Sequence, residues 1–409
     1  MLHAGISPPG YICGCGWLPD PRTTSAVVCG WHLKKYSYMA NNTEASKVAT
    51  SASPPTNGLM SPTRSVTITF DLYEADTVTH EDLGLSANEV LDVYRNMLLQ
   101  RRFEERSAQM YGKQKIGGFL HLYIGQEAIS AGTAQAIVVG EDSVITAYRD
   151  HGLALALGMS ANACMAELFG KSDGCSKGKG GSMHFFSREH RMFGGHGIVG
   201  AHIPLAIGIA FAHKYKKDGG VCIGFLGDGA VWQGSFHESA NLASLYGLPL
   251  VLVIENNQYA MGTSVDRAAA ETDLYKQGVG YAMPGSLANG MDVFSVTRAM
   301  RDHVAMAREG RPSILEIRTY RYRGHSMSDP GKYRTKEELL KHKDEDSILR
   351  LKGYILERGL ADIDHLDEID ESVKAEVMDS VRFADESPLP DIEAIYEDVY
   401  TQNDFPFLR

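Results

Sequence analysis

Four apolar runs, each without polar alternation and each separated from the next by a helical stretch, constrain the fold of this chain most strongly. They cover residues 143–148, 221–226, 249–255 and 313–319. A strand that is apolar on both faces has to be covered on both, which is typical of parallel sheets with helical crossover connections. The runs therefore predict an α/β fold with a mostly parallel sheet and helices on both faces.

Helical periodicity accounts for most of the chain between these runs. The first long stretch begins at Ser86, which stands three residues before Glu89 in the spacing of a capping box. Thr335 and Glu338 repeat that spacing at the start of an acidic helical region. Further helices are predicted at 126–138, 160–170, 202–216, 233–246 and 296–309.

Composition separates the start of the chain from the rest. Residues 1–65 are rich in Ser, Thr, Pro, Gly and Asn, lack sustained periodicity and hold only two acids, Asp20 and Glu44. This composition predicts a disordered or targeting extension, although the Arg-rich amphipathic helix of a presequence is missing. We divide the rest into an α/β domain at 66–334 and a helical region at 335–409 that packs on the same domain.

Charge and cysteine content exclude several classes of protein. The 409 residues carry a formal net charge of −11, which argues against the basic surface that nucleic-acid binding requires. No apolar run reaches the roughly 18 residues of a membrane-spanning helix. Three of the six cysteines, Cys13, Cys15 and Cys29, form a group with His32 whose spacing matches zinc sites poorly. We expect neither a nucleic-acid nor a membrane partner, and a reducing compartment.

Polar residues follow two of the apolar runs. Gly227, Asp228 and Gly229 follow the second run, and Asn256 and Asn257 follow the third after 26 intervening residues. Because ligands of parallel α/β sheets bind beyond the carboxyl ends of the strands, we expect the two loops to lie side by side. Asp228 and Asn257 offer oxygens that suit Mg²⁺, and the helix start after Gly229 offers N–H groups to a phosphate. A GDG tripeptide alone also marks hairpins and plain strand-to-helix turns, so the prediction depends on the spacing.

Six sequence blocks in order extend this pattern. GDG followed after 26 residues by NN is similar to the thiamine diphosphate fingerprint. The blocks are IGGFLHLYIGQEA (116–128), ITAYRDHG (145–152), GKGGSMH (178–184), GGHGIVGA (194–201), ENNQYAMGTSVDRAAA (255–270) and TYRYRGHSMSDPGKYRTKEE (319–338). Over roughly residues 66 to 400 the chain resembles the alpha subunits of the pyruvate dehydrogenase first component, in the thiamine diphosphate-dependent 2-oxo acid dehydrogenase family. The resemblance implies the thiamine diphosphate-binding fold.

The resemblance also implies roles for individual residues. Mg²⁺ would be bound by Asp228, Asn257 and the backbone carbonyl of Tyr259, and catalytic roles are implied for His121 and His325. Contacts with the cofactor are implied for His121, Tyr148, Arg149, Gly197, Val199, Gly227, Asp228, Gly229, Ala230, Asn257, Tyr259 and His325. The guanidinium fork of Arg149 suits the oxygens of a diphosphate.

A reaction and partners are implied as well. Thiamine diphosphate would supply the carbon nucleophile for oxidative decarboxylation of pyruvate and reductive acetylation of a lipoyl group. The chain shows no convincing glutamate to activate the aminopyrimidine, and the 152 residues after Asn257 are too few for a second cofactor-binding domain. We therefore expect a beta subunit to complete the site in an α2β2 heterotetramer, which serves a lipoyl-bearing dihydrolipoamide acetyltransferase.

Two departures of the sequence from the family pattern affect the predictions, besides Asn289 in place of the usual Asp. Trp232 stands in GDGAVWQG where Asn is usual, and the loop SDPGKYR lacks the residue before Tyr333 that mitochondrial versions carry. The shorter loop favours a bacterial cytoplasmic protein over one of the mitochondrial matrix. Ser326 and Ser264 match the family's phosphorylation sites. A phosphate on Ser326 would add roughly two negative charges beside an anion site, whereas without a kinase both serines only serve the loop backbone.

Several alternatives stay open. Lys177 and Lys179 form either a phosphate cradle or part of a solvated loop. The nearest alternative enzymes are acetoin dehydrogenase, which shares FHES…NLAS, and branched-chain 2-oxo acid dehydrogenase, although HSMSDP and AMGTSV favour pyruvate. A Mg²⁺-dependent phosphotransferase is unsupported, because the chain has no P-loop or kinase motif set. A non-catalytic binding subunit is the remaining interpretation, if Trp232 blocks the cofactor.

Overall fold

The computed structural model describes Ile68 and residues 70–399, so the predicted extension at 1–65, with its cysteine group, lies outside the described residues. The strands in the described part are β1 Phe70–Tyr73, β2 Ser143–Ala147, β3 Met192–His196, β4 Cys222–Gly227, β5 Leu250–Asn256, β6 Tyr259–Ala260, β7 Thr263–Ser264, β8 Gly285–Asn289 and β9 Ser313–Arg318. Seven of them form a parallel sheet in the order β1-β8-β9-β5-β4-β2-β3, and β6 and β7 form a short antiparallel pair. The predicted parallel sheet is confirmed.

The four predicted strands, β2, β4, β5 and β9, agree with the structure to within a residue at each end. Every residue of β5 is buried, because successive side chains enter two different cores. Val251 and Val253 belong to one hydrophobic cluster, and Leu250, Leu252 and Ile254 belong to the other. The absence of polar alternation in this strand therefore results from helices on both faces of the sheet.

The helices of the described part are α1 Ala87–Gly112, α2 Glu127–Ala134, α3 His151–Ala156, α4 Ala161–Leu168, α5 His202–Lys216, α6 Gly234–Tyr246, α7 Val265–Ala268, α8 Val293–Arg308, α9 Lys336–Asp344, α10 Ser347–Glu357 and α11 Ile363–Glu386. Helices α5 and α6 cover one face of the sheet, whereas α1 to α4, α8, α10 and α11 contribute to the core on the other face. None of the helices in this part of the chain is long and apolar enough to cross a bilayer. The division at residues 334 and 335 stays a prediction.

One predicted capping box is complete and the other is half formed. At the start of α1, Ser86 accepts from the Glu89 N–H and Glu89 accepts from the Ser86 N–H at 2.7 Å. At the start of α9, the Thr335 hydroxyl accepts from the Glu338 N–H at 3.1 Å. The Glu338 carboxylate accepts instead from the hydroxyls of two tyrosines, Tyr259 and Tyr320, both at 2.8 Å. This tertiary contact ties α9 to the loop after β5.

The register of the central strands brings their carboxyl ends to one level. Gly227 pairs with Glu255 across β4 and β5, and Asn256 pairs with Arg318 across β5 and β9. The loops that follow these three strands therefore leave the sheet together. This edge of the sheet is where ligands of parallel α/β folds bind.

Candidate active site

The loops after β4 and β5 are in contact. Asp228 begins a 3₁₀ turn that ends at Trp232, and Gly229 follows it. A Cβ added to Gly229 would lie 2.6 Å from the Cβ of Ala260, closer than two carbon atoms approach without displacement. Glycine is therefore required at position 229, because the loop after β5 passes directly against it.

The oxygens expected to bind Mg²⁺ lie on these two adjoining loops. Asp228 is 4% exposed, and burial raises its pKa to about 6 although Arg321 opposes this shift. The buried Asn257 donates its amide to Gln126 at 2.9 Å, and its side-chain oxygen accepts from the Tyr259 N–H at 3.3 Å. The result is a buried carboxylate whose charge is poorly compensated, beside amide and carbonyl oxygens. This set suits a hard divalent cation.

Three-residue clusters of the usual metal ligands do not mark this place. Within the described residues, no group of three or more His, Cys, Asp or Glu side chains is arranged to hold a metal ion. The expected ligands combine one carboxylate with an amide and a backbone carbonyl, a set that would leave coordination positions for phosphate oxygens and water.

Two buried arginines, Arg149 and Arg321, lie in neighbouring loops, and Arg321 is close enough to Asp228 to oppose the rise in its pKa. Arg149, which follows β2, donates to the carbonyls of Leu122 at 2.5 Å and His325 at 2.8 Å. Arg321, which follows β9, donates to the Tyr259 carbonyl at 3.2 Å and the Met261 carbonyl at 3.0 Å. Burial and the charge of Arg321 lower the pKa of Arg149. Because both guanidinium groups donate to neutral oxygens, their positive charge is available to an anion.

Three aromatic rings line the cleft at this carboxyl edge of the sheet. The centroids of His121 and Tyr148 lie 4.7 Å apart, those of His121 and His325 5.1 Å, and those of Tyr148 and His325 5.4 Å. Burial lowers the pKa of His121 to about 3 and that of His325 to about 4, with Arg149 adding to both shifts. Both imidazoles are neutral at pH 7. Their buried Nδ1 atoms have no hydrogen-bond partner among the described residues, which indicates capacity for a ligand.

The loop after β3 forms a more open side of the site. A Cβ on Gly197 would meet the His184 imidazole only at 3.7 Å, so space remains there. The next two residues project outwards, Ile198 being 76% exposed and Val199 44% exposed. An apolar wall that faces solvent in the single chain indicates a surface that a partner covers.

Other residues singled out in the sequence fall around this centre. Ser326 is buried, and its hydroxyl lies 2.8 Å from that of Ser328. Ser264 precedes α7 and pairs with Tyr259 in the β6–β7 ribbon. Trp232 is partly exposed at the end of its turn. Gly227 is unobstructed by other atoms, and Ala230 is buried in the turn.

The two lysines of the sequence GCSKGKGG bind a carboxylate of this chain. Lys177 and Lys179 pair with Asp398 at 2.8 Å and 3.2 Å. These ion pairs therefore hold residues 177–179 against Asp398, which lies near the end of the described residues. This arrangement favours the surface-loop alternative over the phosphate cradle.

Comparison with known proteins agrees with this geometry. Residues 95–393 match the family model described as Dehydrogenase E1 component. The chain belongs to this family. It is 51% identical over 316 residues to the "Pyruvate dehydrogenase E1 component subunit alpha" of Rhizobium meliloti, covering 77% of this chain and 90% of that protein.

Other members of the Dehydrogenase E1 component family are similar over comparable lengths. The Rickettsia bellii protein of the same name is 48% identical, with 76% of this chain and 96% of that protein covered. The "Pyruvate dehydrogenase E1 component subunit alpha-3, chloroplastic" of Arabidopsis thaliana is 42% identical, with 80% and 78% covered. The family resemblance inferred from the six sequence blocks is thereby confirmed.

Sequence reasoning missed several polar residues that the E1 fold places at the site. Arg321 lies within the recognised block TYRYRGH, and its position three residues after β9 was the available signal. Glu255 directly precedes the asparagine pair and accepts from the Tyr123 hydroxyl. Gln126 contacts Asn257, as described above. These three residues looked like ordinary loop or strand positions because their partners are distant in sequence.

Proposed function

We propose that this chain is the alpha subunit of a pyruvate dehydrogenase first component, which oxidatively decarboxylates pyruvate and transfers the acetyl group to lipoyl groups. One observation carries the proposal. The buried Asp228 carboxylate and two buried guanidinium groups, Arg149 and Arg321, meet at the carboxyl edge of the sheet without forming an ion pair that cancels them. A cation bound to a diphosphate would compensate both charges at once.

Thiamine diphosphate with Mg²⁺ fits this arrangement. Mg²⁺ would be held by Asp228, Asn257 and the Tyr259 carbonyl. The diphosphate would be held by Arg149 and Tyr148, with the backbone at Gly229 and Ala230. Gly197 and Val199 would contact the aminopyrimidine, and the unobstructed backbone at Gly227 supports a close approach of the cofactor.

The chain's own contribution to catalysis is binding, orientation and proton handling. When bound, thiamine diphosphate supplies the carbon that adds to the carbonyl of the 2-oxo acid and takes up the electrons released with CO₂. His121 and His325 keep their imidazoles neutral beside it, because burial and Arg149 disfavour their protonated forms. A neutral Nδ1 either accepts a hydrogen bond or donates one, so both rings orient the anionic substrate without carrying charge.

A beta subunit is the proposed partner. The open wall at Ile198 and Val199 needs a cover, and α5 and α6 present a second uncovered apolar surface. Its exposed side chains are Leu205, Phe211, Tyr215, Leu242, Leu245 and Tyr246. A surface of this kind supports an obligate assembly, for which we propose α2β2. The beta subunit would supply the carboxylate that activates the aminopyrimidine, and a lipoyl-bearing dihydrolipoamide acetyltransferase would receive the acetyl group.

We propose a bacterial cytoplasmic location over the mitochondrial matrix. The similarity to the Rhizobium and Rickettsia proteins supports a bacterial origin. Fractionation with an antibody against the chain tests the location. Recovery with an organelle pellet would contradict it.

The decisive experiment is a substrate panel on the chain co-purified with its beta subunit. Acceptor-dye reduction is followed with pyruvate, acetoin and a branched-chain 2-oxo acid, with and without thiamine diphosphate and Mg²⁺. We expect cofactor-dependent turnover that favours pyruvate and disappears in Asp228→Asn. Asp142→Asn is the matched control, since Asp142 is a buried carboxylate at the opposite edge of the sheet and binds Arg308 at 2.6 Å. Preference for acetoin or a branched-chain acid would change the proposed substrate. The absence of any cofactor-dependent turnover would favour a non-catalytic subunit.

A further inference from the structure

Glu167 is a buried acid outside the cluster of charged groups around Asp228. It lies near the end of α4, is fully buried and has no cationic side chain as partner among the hydrogen bonds of the described residues. Its two carboxylate oxygens accept from four backbone N–H groups. The donors are Ser176 at 2.8 Å, Gly178 at 2.9 Å, Gly180 at 2.7 Å and Gly181 at 3.0 Å.

The glycine-rich segment 170–181 is wrapped around this carboxylate. A Cβ added to Gly174 would lie 2.3 Å from a carboxylate oxygen of Glu167, so no larger residue fits there. Gly178 adopts a φ of +76°, and an added Cβ would lie 2.7 Å from the backbone of Gly170. The segment has no regular secondary structure of its own between α4 and Gly181. The carboxylate at its centre therefore supplies four of the hydrogen bonds that fix its conformation.

The segment leads directly to the cofactor cleft by two routes. Ser182, the next residue, accepts from the backbone N–H of His121 at 3.0 Å. Ser176 donates to the His184 carbonyl at 2.6 Å, and the His184 imidazole contacts the Gly195 carbonyl at 2.9 Å. One route ends at the backbone of His121, and the other ends at Gly195, two residues before Gly197. A shift of the segment is transmitted to both walls.

We infer that Glu167 is a positioning residue for the cofactor site, holding His121 and the loop after β3 through the segment 170–181. This inference rests on the proposed function, because it names what the held walls bind. Replacing Glu167 by Gln keeps the size of the side chain but turns one acceptor oxygen into an NH₂ group. That group opposes two backbone N–H groups, so half of the anchoring contacts are lost.

The test compares Glu167→Gln with wild type and Asp142→Asn in the complex with the beta subunit. Asp142 is the matched control, because its buried carboxylate also accepts two backbone N–H groups, from Val138 at 2.8 Å and Val221 at 3.0 Å. Affinity for thiamine diphosphate is measured by fluorescence titration at fixed Mg²⁺. Cleavage by trypsin at Lys177 and Lys179 is followed in the cofactor-free complex, which reports on the segment independently of activity.

We expect Glu167→Gln to raise the cofactor dissociation constant about tenfold, with faster cleavage at both lysines, while the control stays within about twofold. At saturating cofactor kcat should recover to within about threefold of wild type, since Arg149 and Asp228 are untouched. Unchanged cofactor affinity in Glu167→Gln, or an equal loss in the control, would overturn the inference. A wild-type complex that binds no thiamine diphosphate would overturn the proposed function instead. In that case the variants would differ from wild type only in their rates of cleavage by trypsin.

Discussion

The guanidinium of Arg149 donates to the backbone carbonyl of His325 at 2.8 Å, which joins the loop after β2 to the loop that follows β9. The two residues are separated by 176 positions in the sequence. Because the Arg149 side chain is buried and its contacts are carbonyls, it is held in place without being neutralised. Its positive charge therefore acts on the neighbouring His121 and His325.

Arg149→Met should therefore impair cofactor binding far more than stability. We expect the dissociation constant for thiamine diphosphate to rise about 100-fold, since a charge-assisted contact with phosphate is lost. The free energy of unfolding should change by only about 1 kcal/mol, because an uncompensated buried charge is removed along with its hydrogen bonds. Titration and chemical denaturation measure the two effects. Arg308→Met, at the opposite edge of the sheet, should show the reverse pattern, and equal behaviour of both variants would contradict the prediction.

Gly229→Ala should disrupt the contact between the loops after β4 and β5. The added methyl group would lie 2.6 Å from Ala260, so we expect a loss of about 1–3 kcal/mol in the free energy of unfolding and weaker cofactor binding. The double variant Gly229→Ala/Ala260→Gly should recover most of both losses, which denaturation and titration will show. Gly353→Ala, where no atom lies within 4 Å, serves as the control and should be neutral or stabilising. Failure of the double variant to recover would exclude this steric explanation.

The buried carboxyl group of Asp150 should make the stability of the fold depend on pH. Burial raises the pKa of this carboxyl group to about 7, against opposing contributions from His151 and the Phe185 N–H. In the unfolded chain the group ionises near pH 4. Its contribution to stability is therefore complete below that pH, declines as the pH rises and is lost above about pH 7.

Asp150→Asn removes this titration and preserves the acceptor for the Phe185 N–H at 2.8 Å. The melting temperature of the variant minus that of wild type should increase as the pH is raised from 5 to 8. This interval spans the folded-state pKa of about 7. Thermal denaturation of the cofactor-free complex across that range provides the measurement. Gly353→Ala introduces no titrating group and should shift the melting temperature equally at each pH. A constant difference for Asp150→Asn would rule out the titration.

A phosphate on Ser326 should block the site electrostatically. Ser326 follows His325, whose carbonyl binds Arg149, so roughly two added negative charges would compete with the diphosphate for that guanidinium. Ser326→Glu should lower activity and cofactor affinity about tenfold or more, whereas Ser326→Ala should retain both. Kinetics at several cofactor concentrations distinguish these results. Ser264→Glu, on the β6–β7 ribbon, should have the smaller effect, and an inactive Ser326→Ala would point to a structural role for the hydroxyl.

Lys177→Ala tests the phosphate-cradle alternative. The pair with Asp398 is exposed on both sides and screened by solvent, so its loss should leave the stability nearly unchanged. Cofactor affinity should remain within about twofold of wild type. Fluorescence titration checks this, with Asp398→Ala as the matched change on the other side of the pair. A tenfold loss of cofactor affinity in Lys177→Ala but not in Asp398→Ala would support the phosphate-cradle interpretation.

The sheet was predictable from sequence only where its strands are buried on both faces. The four central strands are continuous apolar runs because helices cover both sides. The strands β1, β3 and β8 were missed, since FDLY is largely exposed at the edge, MFGGH contains two glycines, and GSLAN is short and partly polar. Such strands are fixed by pairing with a neighbour, which local periodicity does not record.

The candidate site was predictable where residues stand beside a recognised motif. Asp228 and Asn257 follow strands with a definite spacing, and their two loops do meet. Arg321 and Glu167 were missed because their partners lie on other elements of the fold. Glu167 looks in the sequence like a polar position near the end of a helix, and only the folded chain reveals the four N–H groups around it.

The level carboxyl ends of β4, β5 and β9 have a consequence for biosynthesis. Asp228 and Asn257 leave the ribosome well before Arg321, which supports the Tyr259 carbonyl, and before His325, which anchors Arg149. A nascent chain that already contains the complete GDG–NN spacing still lacks one wall of the cleft. At the proposed site, capture of the cofactor would therefore await translation of the last sheet strand, and it would favour completely folded chains over incomplete ones.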